Sequence, residues 1–275
     1  MFGPKPSRNA NAVVTRAGGG IGRAFALLIA ERGGRVVCSD IDEKKARETA
    51  GMIESAGGEA LAVETDVTSL EAMEALAEQA RAWCPEGINL VVNNAGVGAG
   101  GAPVGEISMA DWRWTIDVNL WGVIHGCHVF APELREQEHA GLINVGSTAS
   151  FAAAPGMGPY SVSKAGVLAL TETMAAEMSG TRVHVTALCP TWVKTDIAKS
   201  GRISGQASQL ASRMIDRGWP PEKVVKQTLD ALDRNQLYVV PQLDARTVWR
   251  AKRWMPSLYA RGLGLLGRRL NNESA

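Results

Sequence analysis

Residues 12–22 read AVVTRAGGGIG: the end of a short apolar strand, a cluster of glycines, and the start of a helical pattern, IGRAFALLIAERGG (21–34), that closes on glycine. Glycine lets a backbone approach a ligand closely, and a helix N-terminus offers free N–H groups and a positive dipole end. The stretch is read either as a phosphate-cradling loop or as a tight strand-to-helix turn with no ligand. In the first reading Gly18, Gly20 and Gly22 form the cradle, with Thr15, Arg16 and Ile21 beside them. Arg16 stands where such a loop is expected to need its first glycine.

On either side of this loop, short β-rich runs alternate with longer helical patterns. NAVVT (11–15), GRVVCSD (34–40), EALAVETD (59–66), INLVVNNAG (88–96), GLINVGS (141–147), RVHVTALCP (182–190) and QLYVVP (236–241) are the strand candidates. Strands separated by helices of about ten residues or more imply parallel βαβ units. Right-handed crossovers then place helices on both faces of one sheet. The expected fold is a single α/β domain with a doubly wound, parallel, seven-stranded sheet of Rossmann type, binding its ligand at the carboxyl ends of the strands.

Composition narrows the function classes. At 275 residues and 45% apolar, the chain suits one domain with a large core. No run approaches the roughly 18 uninterrupted apolar residues of a membrane span. The N-terminal MFGPKPSRNAN is polar and broken by two prolines, unlike a secretory signal, so a cytoplasmic protein is expected. Cys38, Cys84, Cys127 and Cys189 are far apart, which suits reduced thiols. His125, Cys127 and His128 are read as a helix surface at a packed interface, so no metal site is expected. With a net charge of +1 there is no global field to attract nucleic acid.

The second strand candidate ends in Asp40, about twenty residues past the glycine loop, where a carboxylate can accept hydrogen bonds from the adenosine ribose and repel a 2′-phosphate. That favours NAD over NADP. Asp42 is read as the cap of the following helix.

Thr15 to Gly22, Asp66–Val67, NNAG at residues 93–96, Asn119, Ser147, and Tyr160 with Lys164 together resemble the short-chain dehydrogenase/reductase family, over residues 11–241. The resemblance implies an NAD(P)-dependent oxidoreductase that interconverts a secondary alcohol and a ketone. It divides the chain into an N-terminal arm (1–10), a catalytic domain (11–241) with a mobile substrate lid near residues 191–218, and an extension (242–275). It also assigns roles. Asp66 and the Val67 backbone meet the adenine, and Asn93, Ala95 and Gly96 line the adenosine ribose side. Lys164 holds the nicotinamide ribose, and Pro190, Val193 and Thr195 fix the carboxamide. The sequence departs from the family pattern at Arg16, where a glycine is usual, and at Thr191, where Pro-Gly is usual.

The chemistry follows from residue types. Hydride transfer to or from an alcohol carbon needs a group that takes or gives the hydroxyl proton, and Tyr160 can do either. A phenol with a pKa near 10 needs help to ionise. Lys164 lies four residues on, on the same face of a helical pattern, and an ammonium there favours the phenolate. Ser147, closing the fifth strand candidate, is placed to bond the substrate oxygen. By the resemblance, Asn119 helps hold a water chain behind Lys164. Arg16 has three readings: facing solvent, paired with Asp40, or reaching a 2′-phosphate; a strained turn with weakened binding is a further outcome. A non-catalytic dinucleotide sensor or scaffold on the same fold is the other functional class.

Met157, Trp192, Ile197, Ile203, Leu210 and Met214 are candidates for an apolar pocket, which points to a bulky hydrophobic alcohol or ketone, aromatic or steroid-like. Apolar and small residues on several faces of the helical patterns 111–130 and 159–178 predict self-association, and the resemblance suggests a dimer or tetramer. From Ala245 to Asn272 the chain carries seven Lys or Arg and no Asp or Glu, interleaved with Trp249, Trp254, Leu258, Tyr259, Leu263, Leu265, Leu266 and Leu270. Such a tail can lie on an anionic membrane. The favoured expectation is that it packs on its own or a neighbouring subunit, because Pro256, Gly262, Gly264 and Gly267 would interrupt a long helix.

Overall fold

The computed structural model describes residues 5–197, 201–203 and 205–272, with side chains throughout except at 205–207, 266–267 and 269–272. Its main sheet contains β1 (Asn11–Thr15), β2 (Arg35–Asp40), β3 (Glu59–Glu64), β4 (Leu90–Asn93), β6 (Ala140–Val145), β7 (Val183–Leu188) and β9 (Tyr238–Val239). They lie in the order β3-β2-β1-β4-β6-β7-β9, every pairing parallel. All seven strand candidates of the sequence are in this sheet. A second, two-stranded pairing joins β5 (Ala99–Gly100) to β8 (Arg202–Ile203) and was invisible in the sequence, since two residues carry no periodicity.

The period of two along the strands sorts their side chains to the two faces. Val13, Val37, Val91 and Leu142 pack with Met73, Leu76, Phe130, Leu134 and Val167. These come from α3 (Leu70–Trp83), α5 (Gly122–Glu136) and α7 (Gly158–Glu177). Val14, Val36, Val92 and Ile143 face the other way, onto Phe25, Ile29, Ile53, Leu229 and Leu232. These belong to α1 (Gly20–Glu31), α2 (Glu43–Ser55) and α9 (Pro221–Leu232). Burial on both faces explains why these strands read as apolar runs.

Helix boundaries follow local chemistry. Asp42 caps α2 by accepting from the Lys45 N–H at 3.3 Å, and Ser69 caps α3 through Ala72 at 3.1 Å. Gly33, at φ +86°, ends the turn after α1. Residues 111–130, expected as one helix, are helical throughout, as α4 (Met109–Ile116), a π-helical turn (Asp117–Trp121) and α5 in unbroken right-handed succession. A one-turn helix, α6 (Ala149–Ala152), follows β6; after β8 come α8 (Gly205–Asp216) and α9, and the extension forms α10 (Leu243–Trp254) and α11 (Pro256–Asn272). Pro256 does break the tail, at the first position of α11 where proline is tolerated, whereas Gly262, Gly264 and Gly267 lie within the helix. Strand order reverses between β1 and β4, so the ligand crevice opens at their carboxyl ends.

Candidate active site

The β1–α1 loop is built around its glycines. A side chain at Gly22 would collide with the Arg16 carbonyl, and one at Gly18 would reach within 2.7 Å of Asp40 Oδ2. Gly20 has φ +53°, and an added Cβ would stand 2.9 Å from Thr195 Cγ2 on the opposite wall. Gly20 therefore packs directly against Thr195, and the loop presents glycine backbone at the N-terminus of α1, the kind of helix end that attracts a phosphate. Asp40 holds this loop: one oxygen accepts from the Gly18 N–H at 2.9 Å, the other from the Asp42 N–H at 3.1 Å. Its carboxylate is buried at the end of β2.

Thr15 and Asn94 bind the ends of β1 and β4 together. The Thr15 hydroxyl accepts from the N–H groups of Asn94 and Ala95 at 2.9 and 3.0 Å, and the Asn94 amide donates to the Thr15 carbonyl at 2.9 Å. Asn94 was not singled out in the sequence, although it stands in the NNAG motif. Asn93 points the other way along the pleat: buried under α5, it donates to Asn144 Oδ1 at 2.9 Å. Gly126 exists because a Cβ there would meet the Asn93 amide. Ile21 is half-buried beside the loop. Asp66 is exposed and caps Thr68, and Val67 is buried with its carbonyl 2.9 Å from His125 Nδ1.

Arg16 is neither a glycine substitute without consequence nor a solvent-facing side chain. Its φ is +51°, the left-handed region that favours glycine. Its guanidinium runs across the crevice and donates to the Gly96 carbonyl at 2.9 Å. Burial lowers its pKa, opposed by the charges of Asp40, Asp196 and Tyr160. Thr191, the other departure from the family pattern, is different. It is absent from the positive-φ positions of the described backbone, and its hydroxyl bonds Asp244 Oδ1 at 3.3 Å while Gln242 Oε1 accepts from its N–H at 3.2 Å. The chain accommodates threonine there through the extension.

Tyr160 and Lys164 occupy the first turns of α7, on one face. Burial raises the Tyr160 pKa; a hydrogen bond from Ser147 and the Arg16 charge work against this. Lys164 is buried with its ammonium donating to the Val145 carbonyl at 2.9 Å, and desolvation lowers its pKa to about 8. Ser147 and Arg16 are the groups that favour ionisation of Tyr160. Asn119, on the π-helical turn, is fully buried. It accepts from the Val97 N–H at 2.7 Å and donates to the Val97 carbonyl and Ser163 Oγ at 2.9 and 3.1 Å. Asn119 Oδ1 and Lys164 Nζ would each stand 3.2 Å from a Cβ at Gly96. A larger residue there would press on both the amide and the ammonium.

On the far wall, Pro190 is buried and accepts from the Thr148 N–H at 2.8 Å, and Val193 is buried beside Trp219. Among the apolar pocket candidates, Met157 abuts Gly100 and Ile203 abuts Gly98, both at β5. Trp192 pairs through its carbonyl with Trp219, Ile197 and Met214 are half-buried, and Leu210 is exposed. Lid residues 198–200 and 204 lie outside the described residues. Sequence reasoning missed what ties the lid down: Arg202 lies 4.1 Å over the Trp114 ring and 3.1 Å from Asp111, both on α4. Only proximity across 91 residues reveals this. Among the described residues no cluster of His, Cys, Asp and Glu could hold a metal ion.

Comparison with known proteins agrees with this layout. Residues 10–204 match a family model described as short chain dehydrogenase. The probable oxidoreductase EphD of Mycobacterium tuberculosis is 34% identical over 235 residues, 81% of this chain but only 39% of EphD, so the chain spans about two fifths of that relative. A 3beta-hydroxysteroid dehydrogenase 1 of Eggerthella lenta is 35% identical over 216 residues, covering 77% of this chain and 82% of the relative. The crystal structure of a short chain dehydrogenase/reductase from Burkholderia phymatum in complex with NAD is 33% identical and superposes with a TM-score of 0.84, covering 94% of this chain and 96% of the other.

Proposed function

Because the chain belongs to the short-chain dehydrogenase family, we propose that Tyr160, Lys164, Ser147 and Asn119 carry an NAD-dependent interconversion of a bulky, apolar secondary alcohol and its ketone. The observation that carries this reading is the convergence of a buried ammonium, held by the Val145 carbonyl, and a buried amide, held by the Val97 backbone, at the carboxyl ends of β4 and β6, with Tyr160 one helical turn before the lysine. A buried lysine whose pKa is lowered to about 8 beside such a crevice is the kind of group found at functional sites.

A bound nicotinamide dinucleotide supplies the hydride acceptor or donor. Tyr160 takes the hydroxyl proton in oxidation and returns it in reduction, and its hydroxyl reaches Ser147 so that both face one substrate oxygen. Lys164, fixed by the Val145 carbonyl, holds positive charge in the site and donates to ribose hydroxyls. Asn119 holds the loop after Gly96 against α7. The glycine loop at Gly18, Gly20 and Ile21, at the N-terminus of α1, would hold the pyrophosphate, with Thr195 beside it. Asp66, Val67, Ala95, Pro190 and Val193 line the remaining cofactor surface. Asp40, buried at the end of β2, opposes a 2′-phosphate, which supports NAD over NADP; the NAD-bound Burkholderia relative agrees. The apolar Met157 and Ile203 beside β5, together with the hydroxysteroid dehydrogenase among the relatives, support an alicyclic or aromatic substrate. The four cysteines are free and buried, which supports a reducing, cytoplasmic setting.

Replacing Tyr160 by phenylalanine removes only the hydroxyl. Turnover should fall at least about a hundredfold, with melting temperature and NADH fluorescence on binding unchanged. A variant that kept a substantial share of the rate would reject Tyr160 as the acid–base group.

A further inference from the structure

The extension presents an apolar, cationic face that the site does not use. Its inner side is anchored: Ala245 is fully buried, and the Trp249 ring lies 6.3 Å from Phe151 and 5.3 Å from Tyr238. The Tyr259 hydroxyl donates to the Ala152 carbonyl at 2.9 Å. The outer side is not covered by the other described residues. Trp254 is 82% exposed, Met255 52%, Leu258 62% and Leu265 58%. Leu258 and Leu265 are two turns apart and share a face, and Arg261 and Arg268, each three residues further on, stand exposed beside it, as does Arg253 near Trp254. A Cβ added at Gly262 or Gly264 would meet nothing within 4 Å. A glycine-bearing helix of this length draws its stability in water from packing, and α11 has little.

We propose that this face docks the protein on a bilayer bearing anionic headgroups. Trp254 and the leucines supply the apolar stripe that enters the headgroup boundary, and the arginines supply the charges that meet lipid phosphates. Charge selects this occupant over a second copy of the chain. Residues 245–272 carry seven Lys or Arg and no Asp or Glu, so a two-fold pairing of this face would set like charges against each other. Docking also brings the segment after Ser147, which Tyr259 touches, close to the phase into which an apolar alcohol or ketone partitions.

The test uses the full chain and vesicles of phosphatidylcholine with phosphatidylglycerol, compared with phosphatidylcholine alone, by flotation. The protein should float with the anionic vesicles only, and less at high salt. Arg253→Gln with Arg261→Gln should weaken partition about five-fold per charge. Trp254→Ser with Leu258→Ser should abolish it, with melting temperature and turnover of a water-soluble alcohol unchanged. No flotation, or variants that float like the parent, would overturn the proposal. A drop in light-scattering mass in the Trp254→Ser, Leu258→Ser variant, with flotation unchanged, would assign the face to a second copy instead. Flotation needs no turnover, so its outcome is independent of the catalytic reading.

Discussion

At Arg16 one residue carries two costs. A non-glycine side chain at φ +51° costs about 1 kcal/mol, and the guanidinium bonded to Gly96 crosses the crevice that a dinucleotide would occupy. Arg16→Gly relieves the strain but adds freedom to the unfolded chain, so melting temperature should barely move. Binding should respond more: removing a hydrogen bond worth about 1 kcal/mol lowers the NADH Kd about five-fold, and the preference for NAD over NADP that we propose for Asp40 should stay or sharpen. A weaker Kd in Arg16→Gly would mean that the arginine holds the bound cofactor, and a preference for NADP lost in that variant would mean that it reads the 2′-phosphate. Lys164 makes a second prediction. Burial lowers its pKa from 10.5 to about 8, so between those values the unfolded chain holds the extra proton and stability rises with pH. Below about 8 the buried ammonium costs stability. Lys164→Met should therefore melt higher than the parent at neutral pH, with the gain shrinking towards pH 10.5, while turnover is lost. In the parent, kcat/KM should decline above about pH 8 as the ammonium discharges.

At the scale of elements, α10 packs behind the segment that carries Ser147. Trp249 packs between Phe151, which closely follows Ser147, and Tyr238 of β9, whose hydroxyl donates to Glu172 of α7 at 2.8 Å. Through Gln242 and Asp244 the extension also holds Thr191. Deleting residues 246–275 removes Trp249 and its contacts, a loss of about 2 kcal/mol for a half-buried aromatic. Melting temperature should drop by roughly 5 °C and substrate KM should rise, without lipid present. Deletion of 256–275 alone should leave melting temperature nearly unchanged, because among the described residues Tyr259 is the hydrogen-bonded anchor of α11. Equal melting temperatures and kinetics for the parent and the longer deletion would mean that α10 does not support the site.

At the scale of the whole molecule, α7 leaves Val162, Ala165, Ala169 and Ala176 exposed, and Trp121 before α5 is 49% exposed. Small and apolar residues at helical spacing on the outside of a folded chain suit close helix-to-helix contact with another copy. Light scattering at micromolar concentration should give twice or four times the 29.2 kDa chain mass. A monomer mass would reject these helices as an interface. The same helical run and α7 also carry Asn119, Tyr160 and Lys164, so a variant that lowers the mass should lower turnover too.

The sequence alone determined the sheet and its two helix layers, because strands buried on both faces read as apolar runs and the glycines of the first loop have no packed alternative. It also determined which residue types could do the chemistry and that Asp42 would cap α2. Tertiary structure decided the rest. Whether Arg16 faced water or the crevice depended on Gly96, 80 residues away. That Asn93 turns into the core while Asn94 holds the loop depended on the direction of the β4 pleat against α5. The π-helical turn at Asn119, the Arg202–Trp114 tie over the lid and the grip of Gln242 on Thr191 arise from long-range contacts that leave no local pattern. Residue order specifies local conformation, whereas a side chain's partner and charge state depend on what the fold brings beside it.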